Sequence, residues 1–168
     1  LRAYGGAEDF DGVLRVVEKD AGILLALLPP EQVLSWLDRC LPEVLERHPL
    51  AMLVLMRSMF NWRRIPKMLE LKEQLLAAID ARPDMSGEER GNLRGECDLI
   101  MSFLLYNDIA GMSRLHRSAS AQMSRPAVSI RRQGGWTFGS PSVLMMFHRQ
   151  AGRLDCELAE MDECMPHY

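Results

Sequence analysis

The chain lacks any apolar run near the roughly 18 to 20 residues that a membrane span needs. Its longest candidate, Ala21 to Leu28, is one or two helical turns stopped by Pro29 and Pro30. A basic flank is also missing from residues 1–12, where Glu8, Asp9 and Asp11 stand instead, which argues against a secretory leader in these residues. The four cysteines, Cys40, Cys97, Cys156 and Cys164, form no C-x-x-C pair. That excludes the common zinc spacings and a disulfide framework, and four reduced thiols in a cytoplasmic protein are expected. Cys156, Cys164 and His167 approach one another in sequence but match no standard zinc pattern. The chain contains no G-x-S-x-G, no H-E-x-x-H and no Cys/His pair in a catalytic setting, so no enzyme is expected. It contains no G-x-x-x-x-G-K-[ST] loop either, so no cofactor is expected in these residues.

What is present is ordinary globular material: 48% hydrophobic and 26% charged residues over 168 positions, with a formal net charge of −3. That length suits one packed domain. The chain, from Leu1 to Tyr168, reads as a piece of a larger protein.

Helical periodicity dominates. Pro29-Pro30 suit a helix start, and Glu31 to Arg47 reads as one amphipathic helix with Val33, Leu34, Leu37, Leu41, Val44 and Leu45 on a face. Pro49 resets the chain into Leu50 to Asn61, apolar almost all round, as befits a helix buried between neighbours. Arg64 to Ala81 repeats the amphipathic pattern. Ser86 three residues before Glu89 resembles a capping box, and opens a helix through Leu93, Cys97, Ile100 and Met101. Asn107-Asp108 break it, and Ile109 to Met123 forms another. Only Ala127 to Ile130 reads as extended.

Three segments share a phrase of two polar residues followed by apolar residues at three-residue steps. They are Glu8-Asp9-Phe10 with Val13 and Val16, Arg63-Arg64-Ile65 with Met68 and Leu71, and Asn107-Asp108-Ile109 with Met112 and Leu115. A helix-turn-helix hairpin repeat explains the phrase, and small residues such as Gly12, Gly95, Ala110 and Gly111 fit close helix crossings. One hairpin cannot bury both its faces alone, whereas stacked hairpins bury a continuous core and leave a curved groove. The expected fold is therefore all-α, a tetratricopeptide-like right-handed superhelix. Its hairpins cover about 8–47, 50–82 and 86–124, followed by an irregular loop at 125–142 and terminal helices at 142–168.

The segment Leu27-Leu28-Pro29-Pro30-Glu31-Gln32-Val33-Leu34-Ser35-Trp36-Leu37, with Leu41-Pro42-Glu43-Val44-Leu45-Glu46-Arg47-His48-Pro49 after it, resembles the start of the helical-repeat region in bacterial LuxR-family regulators of the MalT type. Leu50 to Leu76 and Gly95 to Ala121 are similar to the hairpins that follow there. The stretch Trp136 to Leu144 also looks like part of such a regulator, and residues 8–124 carry most of the resemblance. It implies a parent protein with a nucleotide-binding module, a helical connector, the repeat region and a DNA-binding helix-turn-helix. The repeat region would sense an inducer or hold an inactive assembly. ATP and DNA would then belong to the parent's other modules, with no direct nucleic-acid contact by these residues.

Between Ile109 and Leu154 there is no Asp or Glu, while Arg114, Arg117, Arg125, Arg131, Arg132, Arg149 and Arg153 fall there with His116 and His148. One reading is an anion site for an effector phosphate or carboxylate gripped by Arg forks. The other is internal pairing with the acidic tail or with Glu88, Glu89 and Glu96. Gln133 to Pro141 is a Gly/Pro-punctuated loop with two aromatics, and loops of this length are often functional. Trp136 and Phe138 either close an effector pocket with Arg131 and Arg132 at its mouth, or plug the last hairpin's apolar face. The candidate effector site is thus Arg114, Arg117, Arg131, Arg132, Trp136 and Phe138. Expected partners are a small-molecule effector or a protein, the parent's other domains, and a second copy of the chain, with no membrane. The 12 methionines suit either an adaptable groove or core filling.

Overall fold

The computed structural model describes residues 9–105 and 108–130, with the backbone alone at Ile109 and three isolated helical positions at Asp155, Cys156 and Ala159. Seven α-helices follow in order among the described residues: α1 (Phe10–Asp20), α2 (Pro30–Arg39), α3 (Pro42–Leu45), α4 (Pro49–Asn61), α5 (Ile65–Asp80), α6 (Gly87–Ser102) and α7 (Ile109–Gln122). Single 3₁₀ turns occupy Leu25–Leu27 and Phe103–Leu105, and no strand occurs among the described residues. These residues form two compact units, one from 9–90 with 127–130 and the other built on 91–126. Terminal helices at 142–168 and the loop from 131 onward lie outside the described residues, apart from the three helical positions.

In the first unit, proline sets the helix starts. Pro30, Pro42, Pro49 and Pro66 each sit in the first two positions of a helix, where a missing N–H costs nothing. The expected single helix from Glu31 to Arg47 is instead two helices. Pro42 cannot donate to the carbonyl four residues back, and it forces the residue before it out of the α region. Leu41 is accordingly extended, at φ −67° and ψ 138°. The break turns Leu41 out to solvent, and it is Trp36, not Leu41, that joins Val33 and Leu45 in the core.

α4 is the centre of this unit. Every side chain from Ala51 to Met59 is buried, and α1, α3 and α5 pack around it. Met52, Met56, Met59 and Met68 are wholly inside, so these methionines fill the core and line no open groove. At about 1.5–3 kcal/mol for each large apolar side chain buried, this helix contributes more to holding the unit than any local propensity does. Arg90 closes the far end of α5 by donating to Ile79 O at 2.6 Å and Arg82 O at 2.7 Å, satisfying carbonyls that a helix leaves orphaned.

The α1 end is shaped by Ala21 (φ 48°) and Gly22 (φ 79°), both left-handed. Asp20 accepts from Gly22 N–H and Leu24 N–H, fixing the turn. Gly22 is required here, since a Cβ would lie 2.6 Å from Val54 Cγ1 at a backbone angle L-residues rarely adopt. Arg57 of α4 then donates to Ala21 O and, 72 residues further on, to Ser129 O, so that a buried guanidinium stitches residues 127–130 to this unit. Residues 128–130 are bends and Ala127 is irregular, and none of the four is a strand.

The second unit is an α6–α7 antiparallel pair. α6 starts as expected, with Ser86 Oγ accepting from Glu89 N–H at 3.0 Å. Two glycines allow the close approach within this unit. A Cβ on Gly91 would stand 2.6 Å from Gln122 O, and one on Gly95 would stand 3.0 Å from Ala119 O and inside the Met123 side chain. Gly95 therefore serves a helix crossing as anticipated. Gly111 packs instead against Asp108 and Leu105 at its own helix start.

Candidate functional site

The recurring polar phrase has a physical basis at two of its three positions. Asp9 accepts from Gly12 N–H and Asp108 accepts from Gly111 N–H, each at 2.9 Å, so both aspartates are N-caps with glycine three residues on. The middle occurrence differs: Arg64 caps α5 with no side-chain bond, and Arg63 before it takes φ 57°.

α7 carries the described part of the acid-free stretch. Met112, Ser113, His116 and Ala119 face inward, and Arg114 and Arg117 lie exposed about one turn apart. Arg114 Nη2 stands 3.8 Å from the Asp108 carboxylate, with both groups largely in water, where such a pair contributes little. Arg131, Arg132, Trp136 and Phe138 lie outside the described residues, so Arg114 and Arg117 alone among the six are placed together. Arg125 belongs to the internal-pairing reading. Its Nη1 donates to Glu96 Oε1 at 2.7 Å, and Glu96 is 0% exposed. A buried carboxylate needs such a partner, and removing the partner is far costlier than an exposed pair is worth. Around this bond runs a polar seam between the two helices: Asn92 with Ser124, and Asp98 with Ser118 and Gln122.

Two further groupings were not apparent as sites in the sequence. In the second unit, buried Ser102 and His116 meet at 2.9 Å through Oγ and Nε2. Ser102 donates its proton to Leu99 O at 2.6 Å, so its oxygen accepts from His116 Nε2–H. That polarity is the reverse of a histidine base activating a serine. The available sequence signal was His116 in helical register with Met112 and Ala119.

In the first unit, the imidazole of His48 is buried between two carboxylates of α1. Nδ1 is 3.1 Å from Glu18 Oε2 and Nε2 is 3.0 Å from Asp11 Oδ1. Arg47 shares the same Asp11 oxygen at 3.2 Å, and Arg15 holds the other at 2.8 Å. The His48 hydrogen bond, the largest influence, holds the Asp11 carboxyl below the usual carboxylate range; desolvation opposes it, and the positive charges of Arg15, His48 and Arg47 each add a smaller lowering. In the sequence His48 reads only as a helix terminus before Pro49, and its ring partners are 30 and 37 residues away. The legible trace is that Asp11 and Glu18, two turns apart, share one face of α1.

Beside this cluster lies an apolar cleft between α1, α2 and α4, lined among others by Phe10, Val13, Leu14, Trp36 and Cys40. Its interior free volume is about 20 Å³, room for a single water-sized body. Burial pushes the Cys40 thiol up, away from the thiolate form that reacts. Cys40, Cys97 and Cys156 are all free thiols. Among the described residues no group of three His, Cys, Asp or Glu side chains could hold a metal ion, and no helix is long and apolar enough to cross a membrane. No protein-family model, no curated protein and no solved structure matches the chain.

Proposed function

We propose that the chain is a regulatory sensor and interaction domain of a LuxR-type transcriptional regulator, its hairpins stacked in a tetratricopeptide-like right-handed superhelix. The observation that carries this reading is the repeated hairpin start, the Asp9–Gly12 and Asp108–Gly111 caps of matching geometry. Aspartate is a common N-cap residue, and the support lies in its return with a glycine three residues on and apolar residues at the same steps in both segments. The domain works by binding an effector or a partner, and the chain performs no catalysis. The reversed polarity of the Ser102–His116 bond supports that. The effector is an anion, received by Arg114 and Arg117 together with Arg131, Arg132, Trp136 and Phe138. DNA and ATP are contacted by other modules of the parent.

The test is a thermal-shift screen of anionic metabolites on the chain, repeated on the Arg114→Ala/Arg117→Ala double variant. A ligand at 100 times its Kd stabilises by about 2.7 kcal/mol, and that stabilisation is expected to vanish in the variant. No shift across the panel, or a shift that the variant retains, overturns the effector reading.

A protein–protein interaction scaffold unrelated to transcription is the second reading. It is favoured by Leu27 and Leu41, 72% and 63% exposed, on the connections either side of α2. Exposed leucines at such positions are what a partner would cover.

A further inference from the structure

The first unit holds a buried group whose hydrogen-bonding needs are satisfied in only one protonation state. His48 is 6% exposed, and both of its ring nitrogens face carboxylate oxygens supplied by α1. An ionised carboxylate accepts and does not donate, whereas a neutral imidazole carries one N–H and one lone pair. With Asp11 and Glu18 both ionised, a neutral ring must turn its lone pair toward one of them. The doubly protonated ring donates to both.

We propose that the Asp11–His48–Glu18 bridge is a protonation-controlled latch. It ties α1 to the start of α4 when the imidazole carries both protons, and loses one of its two bonds when a proton leaves.

Every charged group facing the ring bears on the sign. From α1, Asp11 and Glu18 favour the charged ring, while Arg15 and, from the preceding turn, Arg47 offset Asp11 by pairing with it. His48 is also the N-cap of α4, and the positive end of that helix disfavours a second proton. Among the described residues Glu18 engages no Arg or Lys, so the Glu18 bond is the one that depends most directly on the ring's second proton. Opening it loosens the face of α1 that carries Val13, Leu14 and Val17 over the cleft. The stabilisation belongs to the doubly protonated ring and is lost when one of its protons leaves. This inference is independent of the regulator reading.

The latch is tested on the whole chain by the thermal midpoint at pH 6 and pH 8, compared with Glu18→Gln. The amide removes the charge that the second proton serves. The wild type is expected to lose roughly 2–5 °C more than the variant between the two pH values, on the scale of a single charged hydrogen bond. Equal losses overturn the latch. Nitrogen-15 spectra of the His48 ring in the wild type give a second readout that needs no variant to fold. Both ring nitrogens protonated at pH 6 is the expected result, and a single neutral tautomer there overturns the proposal.

Discussion

Substituting Gly91 by Ala sets two known effects against each other, and the structure says which wins. Alanine in a helix is favoured over glycine by about 0.8–1.0 kcal/mol, so an open site would gain stability. At Gly91 the new Cβ stands 2.6 Å from Gln122 O, and ordinary contact begins near 3.4 Å, so the α7 backbone must retreat by about 0.8 Å, the difference of the two. The obstacle is main chain and cannot rotate away. The retreat also strains the bonds that Asn92 makes to Ser124 and that Gln122 makes to Asp98. Overpacking of this kind costs about 1–3 kcal/mol, and partial weakening of these three hydrogen bonds adds about 1 kcal/mol together. After the helix gain is subtracted, a net loss of about 1–3 kcal/mol remains, a fall in midpoint of roughly 2–12 °C at about 2–4 °C per kcal/mol. Gly87→Ala is the control, because nothing lies within 4 Å of a Cβ there. Chemical denaturation of both variants is the assay. A Gly91→Ala protein as stable as wild type, or more so than Gly87→Ala, refutes the close-approach argument.

Glu96→Ala removes the buried carboxylate that receives Arg125. Arg125 keeps some contact with water at 36% side-chain exposure, so the loss is expected to be about 1–3 kcal/mol, below the range for a fully buried pair. Denaturation with an Arg125→Ala cycle checks it, and a coupling near zero contradicts it. For Asp11 the folded carboxyl is held below its ordinary value, so its contribution is full above pH 4 and is lost as pH falls through the folded value. Asp11→Asn should therefore be less stable than wild type at pH 5, and the difference should shrink as pH falls below the ordinary aspartate range, read from denaturation curves at each pH.

The burial of α4 was legible because its apolar residues cover every face, a pattern only a surrounded helix can use. The helix starts were legible in the prolines and in Ser86. The break at Pro42 was overlooked because apolar spacing continued across it, and spacing describes side chains while proline acts on the backbone. Glu96 was named among the acids that could pair with the arginines, but a one-dimensional pattern could not choose it from Glu88 and Glu89. His48 shows the limit from the other side: its neighbours along the chain explain its backbone, and its ring answers to a helix that comes 30 residues earlier. The two buried histidines were both readable as positions and unreadable as partners.

Arg57 has a consequence for the order in which the protein is made. The carbonyl of Ser129 that it grips leaves the ribosome 72 residues after Arg57 itself, once α5, α6 and α7 have been synthesised. The first unit is thus discontinuous in the chain, and its last piece arrives after the two helices of the second. A nascent chain ending at Pro126 holds the α4 core but leaves a buried guanidinium short of one acceptor. Such a unit gains its final stitch late and all at once, a long-range closure of the kind that slows folding.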